Sequence, residues 1–527
     1  MSKSLYPALA LLLTLSVSAA EQAIVSPFEA DSWPVAPSPI DAHVLAALAA
    51  KGIEPAHPCS DAVFARRAYL DVIGTLPRPG ELREFLEDSR PGKRAALIDA
   101  LLDRDEFADY WAMKWCDLLR VKAEFPIKLW PNAAQAYDHW IRESVRLNKP
   151  YDRFARELLT ASGSNFRVPP ANFYRAMPSR TPEGIARTVA LTFMGTRLEK
   201  WPAERQADMA KFFSFVGYKG TSEWKEEIVF FDVLRVRALP PGTHALPSAF
   251  PDGSPVKAEP GRDGREVFAD WLVDGRNPWF TRSIANRTWS WFLGRGIVDE
   301  PDDIRPDNPP SNPALLAYLE RELVSSGYNL KHLFRLILNS RTYQLSSIAA
   351  SNAPPDAAGF AYYPKRRLEA EVLIDALCQL TGTTETYISP IPEPFTYIPP
   401  EHRSIALPDG SITSSFLDLF GRPSRDTGLE SERNNNTTAA QRLHMLNSGH
   451  IQGKIEKGSG LQALMKARRE RADVASDLYV AILSRYPTDD ELRTVDAYAR
   501  AGTVGQREAA VDLAWALINS TEFLYRH

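Results

Sequence analysis

Apolar positions recur every three or four residues along most of the chain, the spacing of amphipathic helices. Pro, Gly and capping residues punctuate the pattern. It predicts helices over residues 39–51, 61–72, 93–102, 105–122, 132–147 and 151–160, with a Pro-rich turn restarting a further helix at 80. Helices over 181–193 and 204–215 complete a first lobe. Residues 227–239 (EIVFFDVLRVRAL) are strand-like, and 240–263 are rich in Pro and Gly, which predicts a small β hairpin or an irregular linker. Helical patterning resumes over 265–273, 311–325, 330–340, 366–380, 437–446 and 472–527. Between them, 384–431 is a long, largely irregular stretch, and such loops in compact domains are seldom idle. The expected fold is mainly α: a leader over 1–20, a helical lobe over 38–220, a β or irregular linker over 221–262 and a second helical lobe over 263–527.

One stretch, NPWFTRSIANRTWSWFLGRGIVDEPDD over 277–303, stands apart. Phe280, Ile284 and Trp291 make one apolar stripe and Ala285, Trp289 and Phe292 another, so the helix is expected to be buried nearly all round. Asn286 and Arg287 lie inside it, and a buried guanidinium needs a carboxylate or carbonyl partner. Gly294 and Gly296 are expected to end it. The two ends of the chain echo one another. Tyr69, Pro77, Glu81 and Leu82 have the spacing of Tyr479, Pro487, Glu491 and Leu492, and ALLDRDEF over 100–107 parallels ALINSTEF over 516–523. Reused helical hairpins are the expected meaning.

Composition adds an address more than a chemistry. Apolar content of 44% and charged content of 24% in 527 residues are those of an ordinary globular protein. With a net charge of −4 and no long basic stripe, no nucleic-acid partner is expected. Lys3, the apolar run 9–17 and the small residues Ser18, Ala19 and Ala20 read as a secretory leader, hence a periplasmic or secreted protein. No later segment is apolar enough to predict a span in the mature chain. Cys59, Cys116 and Cys378 allow at most one disulfide.

Motifs for zinc hydrolysis, thiol redox, nucleophile elbows, phosphate loops and dinucleotide binding are absent. His444 and His450 are six apart, which is not one helical face. The acidic run Asp299, Glu300, Asp302, Asp303 and Asp307 is expected to pair with Arg295 and Arg305. Arg367, Glu371 and Asp375 fall at i, i+4 and i+8, either an exposed ion-pair ladder or, facing Arg287, a buried network lining a pocket for sugar or carboxylate. Glu432, Arg433, Asn434, Asn435, Asn436, Gln441, His444 and Asn447 concentrate hydrogen-bonding groups. With Phe395, Tyr397 and Phe420 they suit either a carbohydrate cleft or the anchoring of the long loop. The candidate site residues are therefore Arg287, Arg367, Glu371, Glu432, Arg433 and His444. A glycan hydrolase needs two carboxylates ~5–10 Å apart, and the sequence singles out no such pair, so enzymatic activity stays open.

IDAHVLAAL, RRAYLDVIGTLP and NKPYDRFARELL resemble the planctomycete cytochrome-like (PSCyt) domain. DGREVFADWL, the 277–298 stretch, HLFRLILNSRTYQLSS, RRLEAEVLIDAL and AAQRLHMLNS resemble the PSD domain that accompanies it; the pair are domains of unknown function 1549 and 1553. The resemblance implies an exported protein of unsettled activity, from a family whose link to heme rests on CxxCH-type motifs. This chain departs from it twice. Phe193-Met194-Gly195-Thr196-Arg197-Leu198 runs into Glu199-Lys200-Trp201 where many relatives carry CxxCHxHPF, and Leu429-Glu430-Ser431-Glu432-Arg433 stands where they carry CxCER. Without these thiols no heme is expected and no cofactor is assigned. Loss at both places suggests that the two motifs share one site, where 198–201 and 429–433 meet beside the central helix, with Arg287 as the bridge. The expected partners are a glycan or an envelope protein, the first through binding or processing of extracellular polysaccharide, the alternative as a non-catalytic scaffold.

Overall fold

The computed structural model describes residues 24–527 except 241, 258–260, 355–356, 467–469 and 502–504; the leader predicted over 1–20 lies outside the described residues. The fold is mainly α. Helices start where side chains can satisfy their first N–H groups. Ser38 Oγ accepts from Asp41 N while the Asp41 carboxylate accepts from Ser38 N at 2.7 Å, opening Pro39–Ala49. Asn312 opens Pro313–Ser325, and Thr488 with Glu491 opens Asp489–Arg500. Each such cap contributes roughly 1 kcal/mol.

Several predicted helices are cut short or divided. The helix expected to reach 122 is Asp105–Leu118: Arg120 turns left-handed (φ 57°), and Val121 N–H closes on the Cys116 carbonyl at 3.0 Å. The one expected over 181–193 splits into Pro182–Val189 and a π-helical turn, Ala190–Met194. The one expected from 366 begins only at Ala370, because the residues before it are drawn into a sheet.

Strands are few and antiparallel. β1 (Gly163–Ser164), β2 (Val216–Gly220) and β3 (Glu227–Phe231) form a sheet of order β1-β3-β2, with Tyr218 opposite Val229. Of the hairpin expected within 221–262 only β3 lies inside those bounds; its partners β2 and β1 come from earlier in the chain, and Val233–Arg237, expected to be strand-like, is a short helix. β4 (Arg366–Arg367) pairs with β5 (Tyr525–Arg526), tying the C-terminus into the middle of the protein.

The helix Phe280–Leu293 runs through the core, with Ile284, Trp289 and Phe292 fully buried, and stops at Gly294 in the left-handed conformation. Helices of the first lobe cover it. The Trp111 ring lies 5.2 Å from Trp291 and 5.4 Å from Phe292, and Tyr151 stacks on Phe280 at 4.7 Å. Such pairs contribute roughly 0.5–1.5 kcal/mol each beyond the area they bury, so the two lobes share one core. Among the described residues no helix is long and apolar enough to cross a membrane.

The sequence echo has a structural counterpart. Near one end Arg104 lies over Tyr69 and pairs with Glu81 and Glu106 at 2.9 and 2.6 Å. Near the other Arg485 lies over Tyr479 and pairs with Glu491 and Glu522 at 2.7 and 2.6 Å. The Tyr and two Glu keep their places in both copies, while the arginine enters from a different position.

Candidate functional site

The six candidate residues divide into structural anchors and one bridge. Arg367 is not on a helix; it donates to the carbonyls of Phe420, Asn434 and Asn435 at 2.7–3.1 Å and so holds the long loop. Glu371 meets Arg433, not Arg287, at 2.7 Å. Arg433 reaches on to Asp117 at 2.6 Å, and Arg425 joins the same carboxylate at 2.9 Å. Burial opposes ionisation of Glu371, but Arg433 outweighs it and holds the carboxyl below the usual range. Asp375 accepts from the N–H groups of Ser404 and Ile405, so Arg367, Glu371 and Asp375 turn to three separate sets of partners. Glu432 accepts from Ser424, Thr427 and the N–H groups of Asp426 and Thr427, a local loop clamp. His444 packs edge-on to Phe416 and Phe420 and meets His450 at 3.4 Å, which in turn meets Glu385 at 3.0 Å. Phe420 is buried on Phe416, whereas Phe395 lies with Trp130 and Trp224, so these loop aromatics line different clusters.

Arg287 is the bridge. Fully buried, it donates to the carbonyls of Thr192 (3.0 Å) and Leu191 (3.4 Å) in the π-helical turn, and to Asp302 Oδ1 at 2.6 Å. Asp302 Oδ2 accepts from Glu430 N at 2.7 Å, and Trp291 Nε1 donates to Glu430 Oε1 at 2.9 Å. Arg287 thus touches Leu191 and Thr192 rather than the expected 198–201, and reaches the 429–433 stretch through Asp302, while Trp291 of the central helix meets Glu430 directly. Burial pushes the Glu430 carboxyl above the ordinary range against the pull of Lys114. Contact with the 198–201 stretch comes instead from the acidic run, through Asp303 on Lys200 at 2.8 Å, with Glu300 on Arg197 at 2.7 Å beside it. Arg305 pairs with Asp303 and Asp307, and Arg295 with Asp299. Gly195 permits the turn: its φ is 59°, and a Cβ there would come within 2.8 Å of Ser283 Oγ and 2.9 Å of the Pro301 carbonyl.

Where the stretches meet there is an open cavity of about 330 Å³, lined by Arg120, Arg187, Thr188, Arg197, Glu199, Thr427 and Leu429 among others. Arg120 is 1% exposed, and its Nε donates to the Thr427 carbonyl at 3.1 Å. Its Nη1 has no partner and no described carboxylate pairs with it; burial pulls it down to about 10. The guanidinium lies flat on Gly428, where a Cβ would fall 2.6 Å from Nη2. Across the 196–201 turn lies a second cleft of about 620 Å³, with Trp201 and Trp279 5.6 Å apart and Lys200, Arg205, Arg282 and Arg305 around them. Neither stretch contributes a thiol or an imidazole, so the donor set does not fit a covalent heme. Cys59, Cys116 and Cys378 are unpaired.

A third cleft of about 260 Å³ includes Asp375, Glu385, Glu401 and His402. Asp375 is committed to backbone N–H groups and Glu385 to His450 and Lys454. Sequence reasoning missed Arg120 and Arg187. Arg120 sits at a helix end whose pattern continues to 122, and nothing local marks its lack of a counter-ion.

Residues 39–210 match the family described as PSCyt2, a protein of unknown function (DUF1549), and residues 264–499 match PSD1, a protein of unknown function (DUF1553). No curated protein and no solved structure matches the chain. The chain belongs to the PSCyt2–PSD1 family pair.

Proposed function

We propose that this PSCyt2–PSD1 protein is exported and binds extracellular polysaccharide where its two lobes meet. The observation that carries this reading is the 620 Å³ cleft beside the 196–201 turn. Trp201 and Trp279 are both partly exposed there. Indole faces stack on the C–H faces of sugar rings, and a rim of amide and guanidinium donors matches hydroxyl oxygens. Arg205 and Arg282 bring guanidinium groups to this rim. Binding is favoured over hydrolysis because the lining of this cleft holds a single carboxylate, Asp307, where a glycan hydrolase needs a facing pair.

Affinity electrophoresis or calorimetry against a panel of neutral and acidic polysaccharides tests the proposal. Trp201→Ala and Trp279→Ala are expected to weaken binding about tenfold each, the scale of a lost aromatic platform. Retention of no polysaccharide, or unchanged binding by both variants, overturns it. A second reading, a non-catalytic scaffold of the envelope, draws on the surface cluster of Trp130, Trp224 and Phe395, with Trp224 60% and Phe395 44% exposed. Exposed aromatic groups of this kind mark interaction surfaces, and co-purification with an envelope protein that Trp224→Ser abolishes favours it.

A further inference from the structure

We infer that the cavity at Arg120 is an oxyanion subsite, built to take the carboxylate or sulfate group of an acidic sugar. The carrier rests on the polysaccharide reading; the anion does not. The argument starts from what buried guanidiniums do elsewhere in this chain. Arg287, Arg425, Arg433 and Arg526 each face a carboxylate at 2.6–3.0 Å. Arg66 and Arg67 have none but are capped by three acceptors each. An unpartnered nitrogen occurs on Arg66, Arg287, Arg425 and Arg526 as well as on Arg120; what sets Arg120 apart is a single acceptor, the Thr427 carbonyl, with no carboxylate.

The carboxylates that act on Arg120 through space are already committed. Asp302 is taken by Arg287 and Glu430 N, and Glu432 by its loop clamp. A buried cation is costly unless something neutralises it, and Arg120 lies in the lining of the cavity. Two more guanidiniums share that cavity. Arg187 is exposed and has no ion pair among the described residues, and Arg197 has a buried, unpartnered Nε beside its bond to Glu300. Glu199 is the one carboxylate in the lining. Three guanidiniums therefore line one cavity, and their planar forks favour carboxylate and sulfate oxygens. The tryptophan cleft and this cavity are both lined by residues of the 196–201 turn, which places an oligosaccharide stacked in the first beside the second.

Calorimetry on the full chain at fixed ionic strength tests this with a uronate oligosaccharide, a sulfated oligosaccharide and a neutral one. An acidic ligand is expected to bind at least about tenfold more tightly than the neutral one, and the tighter of the two acidic arms identifies the substituent. Arg187→Ala, on an exposed side chain, and Arg120→Gln are each expected to weaken acidic binding about tenfold and leave neutral binding unchanged. Equal affinity for acidic and neutral ligands, or wild-type acidic binding by both variants, overturns the subsite. Inorganic sulfate bound by the wild type and not by Arg120→Gln, with no saccharide bound, supports the subsite and overturns the polysaccharide reading. Neutral binding lost only in Trp201→Ala, with no charge preference, does the reverse.

Discussion

Arg425 and Arg433 on one hand and Arg120 on the other have buried side chains beside the helix end at 117–120, and their electrostatic fates are opposite. Arg425 and Arg433 share Asp117, and Arg433 also holds Glu371 at 2.7 Å. Arg120, three residues beyond Asp117, packs beneath the same loop and has no carboxylate of its own. The first group is complete within the chain and serves to fasten the long loop to both lobes. The second is incomplete, and its open side is a cavity. Pairing inside the fold marks structure; a missing counter-ion at a cavity marks a place for a ligand.

The sharpest way to break the contrast is to strand the paired group. Asp117→Ala leaves Arg425 and Arg433 short of a carboxylate and is expected to destabilise the protein by about 3–5 kcal/mol, read by chemical denaturation. Arg287→Leu leaves Asp302 without its cation and the Leu191 and Thr192 carbonyls without their donor. It is expected to cost about 3 kcal/mol; an unchanged midpoint shows that the bridge is dispensable. Arg120→Leu is expected to behave differently, shifting stability by no more than ~1 kcal/mol, because one hydrogen bond is lost and an unpaired buried charge is removed. A loss as large as that of Asp117→Ala erases the distinction.

A smaller effect sharpens it through pH. The Glu371 carboxyl is held below its ordinary value in the folded state. Its contribution is therefore present above the unfolded value of about 4.3 and lost as pH falls through the folded value. Glu430, beside the cavity, is raised by burial, so the sign reverses: its contribution is full below about 4.3 and is lost as pH rises through the folded value. Unfolding free energy followed from about pH 3 to 7 is expected to lose part of its acid limb in Glu371→Gln and part of its neutral-side decline in Glu430→Gln.

Much of the frame was legible in the residues. Ser38, Asn312 and Thr488 announce helix starts, and two apolar stripes announce the buried helix Phe280–Leu293. The need of Arg287 for a partner followed from its place inside that helix, and the acidic run after it met the expected cations. Other positions misled for a common reason. Arg367 has perfect helical spacing to Glu371, yet pairing with the C-terminal residues Tyr525–Arg526 takes it out of the helix. The i, i+4 pattern sees neighbours on one helix and is blind to a strand that arrives from the far end of the chain.

The sequence by itself determined the mainly helical fold, the buried central helix and the family, because capping, periodicity and motif strings act over a few residues. The tertiary structure alone decided which charges are satisfied. Arg120 and Arg433 are the same side chain chemically, and only the arrival of Asp117, Glu371 and Thr427 separates an anchor from an open binding surface. The carboxylate that Arg433 shares with Arg425 comes from about three hundred positions away, |i−j| being 316 for Arg433 and Asp117. Coulomb energy depends on distance in space, which no local pattern encodes.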